Sequence, residues 1–197
     1  MTSIRHNTRR VDEDVVLDAA RACVLAVGVR RTTLTDIARR ANVSRMTLYR
    51  RWPDVQTIVG DLMTREWLAL AEAVIAGATG DARTRLVDTL TKGTRLLREH
   101  PLLRKIIEVD PELLLPYVLT RTGASQEAFL ELIEGELARG HADGSIRTDA
   151  PRRQARTLLL IVQSFALSLP TMTGPGELAT EHFDADLRRV LTLTLRP

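Results

Sequence analysis

Apolar positions recur at helical spacing along nearly the whole chain. Between Asp12 and Val27 they fall at Val16, Ala20, Cys23, Val24 and Val27, the pattern of one buried helix face. Asp12, Glu13 and Asp14 suit the positive N-terminal end of that helix, and Gly28 suits the position just past its end. A second start follows at Thr33, where Thr33-Leu34-Thr35-Asp36 resembles a capping box with Asp in place of Glu. This helix carries Ile37, Ala38 and Ala41 inward and stops near Asn42. Ser44 is a good N-cap for a third helix reaching about Trp52, and Pro53 suits the first position of the next.

Beyond Pro53 the predicted elements lengthen. Residues 54–78 read as one helix with Ile58, Leu62, Trp67, Leu70 and Val74 on its inner side; at ~1.5 Å per residue it spans roughly 37 Å. Helices follow over residues 81–99, with Leu86, Leu90 and Leu97 inward, and over 102–109. The stretch 111–121 is predicted to be kinked by Pro116. Helices over 125–142, 151–169 and 178–195 complete the series, with turns at Asp143-Gly144-Ser145 and in the Pro/Gly loop 170–176. Strand-like alternation is nearly absent. The expectation is an all-α fold of nine to ten helices, divided into a domain over residues 1–52 and a larger one over 53–197.

Composition narrows the class. A chain of 197 residues with 44% hydrophobic content can bury a core unaided. One Cys excludes an intrachain disulfide framework and any multi-Cys metal finger. The first ten residues are polar and basic with no apolar run behind them, so no signal peptide is expected. The uncharged stretch 157–176 contains Gln163, Ser164, Ser168 and Pro170, which favours a buried helix over a membrane span. A cytoplasmic protein is expected. Charge is uneven: residues 1–52 hold 11 Arg and 5 Asp or Glu, net +6, while the rest is net −3. That asymmetry fits a polyanion partner for the first segment, or merely a basic solvated face.

The side chains of this segment favour the first of those readings, with a three-helix cap lacking DNA affinity as the alternative. Three short helices with a tight turn, Ala41-Asn42-Val43-Ser44, between the second and third describe a helix-turn-helix. Ala38 lets the two helices cross closely, and Val43 fills the gap beneath them. Leu48 and Trp52 face the small core. Arg45, Met46, Thr47, Tyr49, Arg50 and Arg51 are left on the outer side of the third helix. Arginine pairs bidentately with guanine O6 and N7, Thr47 and Tyr49 carry hydroxyls for phosphate or base edges, and Met46 offers an apolar contact for a thymine methyl. Thr33 and Thr35, at the start of the second helix, can present hydroxyls and backbone N–H groups to a phosphate.

The run Asp36-Ile37-Ala38-Arg39-Arg40-Ala41-Asn42-Val43-Ser44-Arg45-Met46-Thr47-Leu48-Tyr49-Arg50-Arg51-Trp52 closely resembles the signature of TetR-type transcriptional regulators. Gly28 before Thr32-Thr33 is similar to the family's first interhelical turn, and the likeness covers about residues 12–67. A weaker similarity lies in Gly144-Ser145-Ile146-Arg147-Thr148-Asp149-Ala150-Pro151, before the penultimate helix. Two positions depart from the pattern. Val55 stands where the family usually has a phosphate-contacting Lys, and Met46 stands where it favours a small residue.

The resemblance implies an N-terminal three-helix DNA-binding domain and a C-terminal helical domain for ligand binding and dimerisation. It implies a homodimeric repressor, released from a palindromic operator by a small molecule. The dimer face would use Leu158, Ile161, Val162, Phe165 and Leu169 on one terminal helix and Val190 and Leu191 on the other, unless these form an intrachain core. The effector site would draw on Trp67, Tyr117, Phe129 and Gln163, or these too are core packing. Their character suggests an uncharged, largely apolar ligand. Two other classes stay open: a DNA-binding regulator without a small ligand, controlled by a partner or acting as an activator, and an all-helical enzyme. No zincin, phosphate-loop or nucleophile-elbow pattern is present, so no cofactor or metal is expected. His100, His141 and His182 are isolated in the sequence, and Cys23 lies on the buried stripe of the first helix.

Overall fold

The computed structural model describes the backbone of residues 3–197 and the side chains of residues 13–197. Every regular element among the described residues is helical. The ten α-helices are α1 (Ser3–Val27), α2 (Leu34–Ala41), α3 (Arg45–Arg51), α4 (Val55–Ile75), α5 (Ala82–Glu99), α6 (Pro101–Val109), α7 (Leu115–Leu119), α8 (Ala124–Asp143), α9 (Pro151–Leu167) and α10 (Thr180–Leu195). Single 3-10 turns occupy Pro111–Leu113, Leu169–Thr171 and Gly176–Leu178.

Local chemistry sets most boundaries. Thr33, Ser44 and Asp81 cap α2, α3 and α5 by accepting the backbone N–H of Asp36, Thr47 and Thr84. Pro101 and Pro151 open α6 and α9, where a missing N–H costs nothing. Several ends differ from the sequence expectation. The first helix begins at Ser3, so Asp12, Glu13 and Asp14 lie inside it instead of at its N-terminus. Pro53 stands outside α4, and Asp54 does the capping, accepting the Thr57 N–H at 2.7 Å. Pro116 does not kink a helix over 111–121. The chain breaks there into a 3-10 turn and α7, with Pro116 in the first turn of α7. The helix over 151–169 ends at Leu167, and the last helix starts at Thr180 instead of Leu178.

The chain forms two compact units. One comprises Met1–Glu66 and Pro101–Thr122, the other Trp67–His100 and Gly123–Pro197. In the first, α1 packs on α2 and α6, and α2 on α3. Val16, Leu17, Ala20, Val24, Ile37, Leu48, Ile58 and Leu62 are buried there. Two positions expected on the buried stripe of α1 lie elsewhere: Val27 is exposed and Cys23 only half-buried. In the second unit α5 packs against α8, α9 and α10. Its core joins Leu86, Leu90, Ile133, Leu137, Leu158, Leu187 and Leu191. Gly140 lets α8 lie against Ile146, since a Cβ there would fall 2.3 Å from the Ile146 Cδ1. No described helix is long and apolar enough to cross a membrane.

Candidate nucleic-acid interface

The helix-turn-helix is built from local hydrogen bonds upward. The Thr33 Oγ1 accepts the Asp36 N–H at 3.1 Å and donates its own proton to the Asp36 carboxylate at 2.6 Å. The α2 C-terminus closes through Asn42, the one described non-glycine residue with positive φ, at 54°. Asparagine tolerates this left-handed geometry better than most residues. The turn is completed by the Val43 N–H donating to the Ala38 carbonyl at 3.0 Å. Ser44 then accepts the Thr47 N–H at 3.1 Å and starts α3.

Seven residues are too few to make a stable helix alone, so α3 depends on what holds it from beneath. Leu48 and Trp52 are buried. The Trp52 indole N–H donates to Asp61 of α4 at 2.8 Å, which fixes the ring as well as burying it. The other side of α3 is open. Met46 is 78% and Tyr49 48% exposed, and Arg45, Thr47 and Arg50 are exposed beside them. Among the described residues neither Arg45 nor Arg50 has a carboxylate partner. Arg51 differs: its guanidinium donates to Glu13 of α1 at 2.5 Å and lies 5.3 Å from the centroid of the Trp52 ring.

At the start of α2, Thr33 is exposed and Thr35 half-buried. Val55 is the first residue of α4, the place where a helix N-terminus offers free N–H groups. Asp54, just before it, is held below the usual carboxylate range by the backbone N–H and hydroxyl of Thr57. The turn from α1 into α2 is pinned from a distance in sequence. The fully buried Asp110 accepts the Val29 N–H at 2.7 Å, and Arg30 pairs with Asp110 and Glu112. Gly28, at φ 84°, makes room for this: a Cβ would sit 2.8 Å from the Asp110 Oδ2 and 2.8 Å from Val109. The sequence marks Glu13 only as a helix-start acid and gives Asp61 and Asp110 no role at this site, because their partners are reached only through the fold. Burial pushes the Cys23 thiol up, against the nearby Arg40.

The residues singled out for an effector lie in different settings. Trp67 is buried, its ring edge-on to His100 with centroids 5.0 Å apart. Gln163 accepts from the Gln126 amide at 2.8 Å, and Phe129 is half-buried. Those three belong to the second unit; Tyr117 belongs to the first, with Arg121 stacked on its ring at 5.0 Å. Of the residues expected at a dimer face, Leu158, Leu169 and Leu191 are buried within this chain and have no surface left for a partner. Ile161, Val162 and Phe165 are half-buried and Val190 is exposed. The outward apolar residues are instead Leu160, 69% exposed, and Leu193, 57% exposed. His141 and His182 make local contacts, with the Gln154 side chain and the Glu177 carbonyl.

A model of the family described as bacterial regulatory proteins, tetR family, matches residues 16–60. An uncharacterized HTH-type transcriptional regulator from Mycobacterium bovis is 37% identical over 169 residues, covering 84% of this chain and 87% of its own length. The chain belongs to the TetR family. A Mycobacterium tuberculosis relative is similar at 36% identity over the same shares. Among solved structures, the R. erythropolis transcriptional repressor QsdR from the TetR family superposes with a TM-score of 0.70 at 18% identity, covering 95% of this chain and 97% of its own. FadR from Bacillus subtilis, in complex with stearoyl-CoA, gives 0.62 at 15% identity over 92% and 98%. At such identities the structures speak for the fold alone.

As a TetR-family regulator, the chain is a helix-turn-helix protein of transcription. The family match spans the latter half of α1, all of α2 and α3, and the start of α4. What the arrangement offers is a cationic helix face of the size a DNA major groove admits.

Proposed function

We propose that this TetR-family regulator is a homodimeric repressor, released from a palindromic operator by a small, largely apolar ligand. DNA is contacted by residues 1–52, and residues 53–197 bind the ligand and form the dimer. The reading rests on one observation. Arg45, Met46, Thr47, Tyr49 and Arg50 stand exposed on a helix held from below by Leu48 and Trp52, with both arginines unpaired among the described residues. Arg45 and Arg50 read bases or phosphates, Met46 touches a base edge, and Thr47 and Tyr49 supply hydroxyls. Thr33 and Thr35 approach a flanking phosphate.

A single seven-residue helix reads few base pairs, so two half-sites related by a dyad supply the specificity. A solved neighbour carries stearoyl-CoA and another, from Saccharomonospora viridis, carries choline; on that likeness an effector is assigned here too, in reach of Trp67, Phe129 and Gln163 of the second unit. Ligand and operator act by population shift: each favours a different arrangement of the dimer, so the ligand weakens DNA binding by as much as DNA weakens ligand binding. The protein works in the cytoplasm, where its operator is.

The test begins with selection of the purified chain against random-sequence duplexes, followed by salt titration on the winner. An enriched palindrome with a steep salt slope is the expected result. Enrichment of a duplex that no small molecule from a metabolite library releases would remove the ligand from this reading. No enrichment by a folded dimer, with no small molecule released on denaturation, would overturn the operator reading.

A further inference from the structure

Arg51 sits on the recognition helix between groups that face solvent and groups that face the core. Its guanidinium is engaged twice: an Nη2 donates to the Glu13 carboxylate at 2.5 Å, and its Cζ lies over the Trp52 ring, 5.3 Å from the centroid. Trp52 is itself buried and tied to Asp61 at 2.8 Å. One arginine therefore closes a chain of contacts from α1 through α3 to α4. Arg45 and Arg50, on the same helix, have no such partners among the described residues.

We propose that Arg51 is a positioning residue for operator recognition, not a DNA contact. It clamps the C-terminal end of the recognition helix to α1 through Glu13, and Trp52 carries the clamp to α4. The N-terminal end of α3 is fixed by the Ser44 cap. At its C-terminal end Leu48, Trp52 and this brace set its angle, and that angle decides where Tyr49 and Arg50 arrive in the groove. The chemistry asks for arginine in particular. A planar guanidinium can donate to a carboxylate along its edge while its face lies on an indole, and a lysine ammonium cannot do both.

The inference rests on DNA binding by α3 and is tested on the full-length chain with the selected duplex. Four variants are compared with wild type: Glu13→Gln, Arg51→Gln, Arg51→Lys and the Glu13→Gln/Arg51→Gln pair. Expected for each single variant is about two- to fivefold weaker operator binding, the scale of an exposed ion pair's coupling, at an unchanged log–log salt slope. The double variant should be no weaker than Arg51→Gln alone, because both changes break one brace. A phosphate contact predicts the reverse. Glu13→Gln would free the guanidinium and bind more tightly with a steeper slope, Arg51→Lys would keep its affinity, and Arg51→Gln would lower the slope by about 0.9 per subunit. That pattern, additive losses, or wild-type binding by all variants would overturn the proposal.

A second measurement needs no DNA. Amide hydrogen exchange over residues 45–52 should quicken in Glu13→Gln, and protection equal to wild type would overturn the brace. Failure to enrich any duplex would instead count against the operator reading and leave this exchange test standing.

Discussion

Asp110 shows how much one side chain can decide. Its carboxylate is fully buried and accepts the N–H of Val29, 81 positions away, at 2.7 Å. Removing the acceptor leaves a buried backbone donor unsatisfied, a cost of about 1–3 kcal/mol. The pairing to Arg30 adds little, because Arg30 is mostly exposed. Asp110→Ala is therefore expected to destabilise the protein by roughly 2 kcal/mol. Asp110→Asn should lose much less, since the amide oxygen can still accept from Val29. Urea unfolding of the two variants measures the difference; equal losses would mean that charge, not the hydrogen bond, is what matters. None of this is legible in the sequence. There, Asp110 precedes Pro111 and reads only as a helix stop. Its partner is set by α6 packing on α1, and no local spacing encodes that. Gly28 was legible as a helix end, but the need for its missing Cβ arises from Asp110 and Val109.

Elements were read best where a cap is local. Thr33 and Ser44 bind N–H groups three residues ahead, so their spacing is visible in the chain itself. The start of α1 is not marked by its acids: three consecutive acids look like a helix N-terminus wherever they fall, and the helix reaches back to Ser3. Pro116 suggests a kink because proline marks a break without saying whether a helix resumes after it. Two helix starts, at Val55 and at Asp81, are open to test. Val55 opens α4 at a helix N-terminus, and Val55→Lys adds a cation there. Operator affinity should rise, with a log–log salt slope steeper by about 0.9 per subunit; an unchanged slope would mean that this end of α4 does not reach the backbone. The second concerns acid. The backbone N–H of Thr84, with its hydroxyl, holds Asp81 below the usual carboxylate range. A lowered folded-state value adds stability that is complete above the unfolded value and is lost as pH falls through the folded one. Asp81→Asn keeps a competent cap without the charge. Stability at neutral pH should change little, while the decline between about pH 5 and pH 3 becomes shallower. Urea midpoints across that range report it, and an unchanged decline would show that the cap does not titrate with folding.

At the scale of the whole molecule the proposal of a dimer turns on which apolar residues the chain leaves outside. Helical breadth alone could not tell inward from outward on α9 and α10, because Leu158, Leu159, Leu160, Ile161 and Val162 follow one another and some must face each way. Packing sorts them: Leu158, Leu169 and Leu191 are consumed by the chain's own core, while Leu160 and Leu193 project outward with Val190. The proposed dimer assigns these exposed leucines a cover. Placing a charge on each tests whether a second copy provides it. Leu160→Glu/Leu193→Glu should keep the fold, since neither side chain is part of the core, and should sediment as a monomer where wild type is expected to sediment as a dimer. Operator binding should then fall by more than tenfold, because one half-site no longer holds the protein for the other. The single-site contacts would survive, so binding to a half-site duplex should match that of wild type. A double variant that stays dimeric would move the interface elsewhere. A monomer that binds the full palindrome as tightly as wild type would show that each recognition helix works alone, and the dyad would lose its role in specificity.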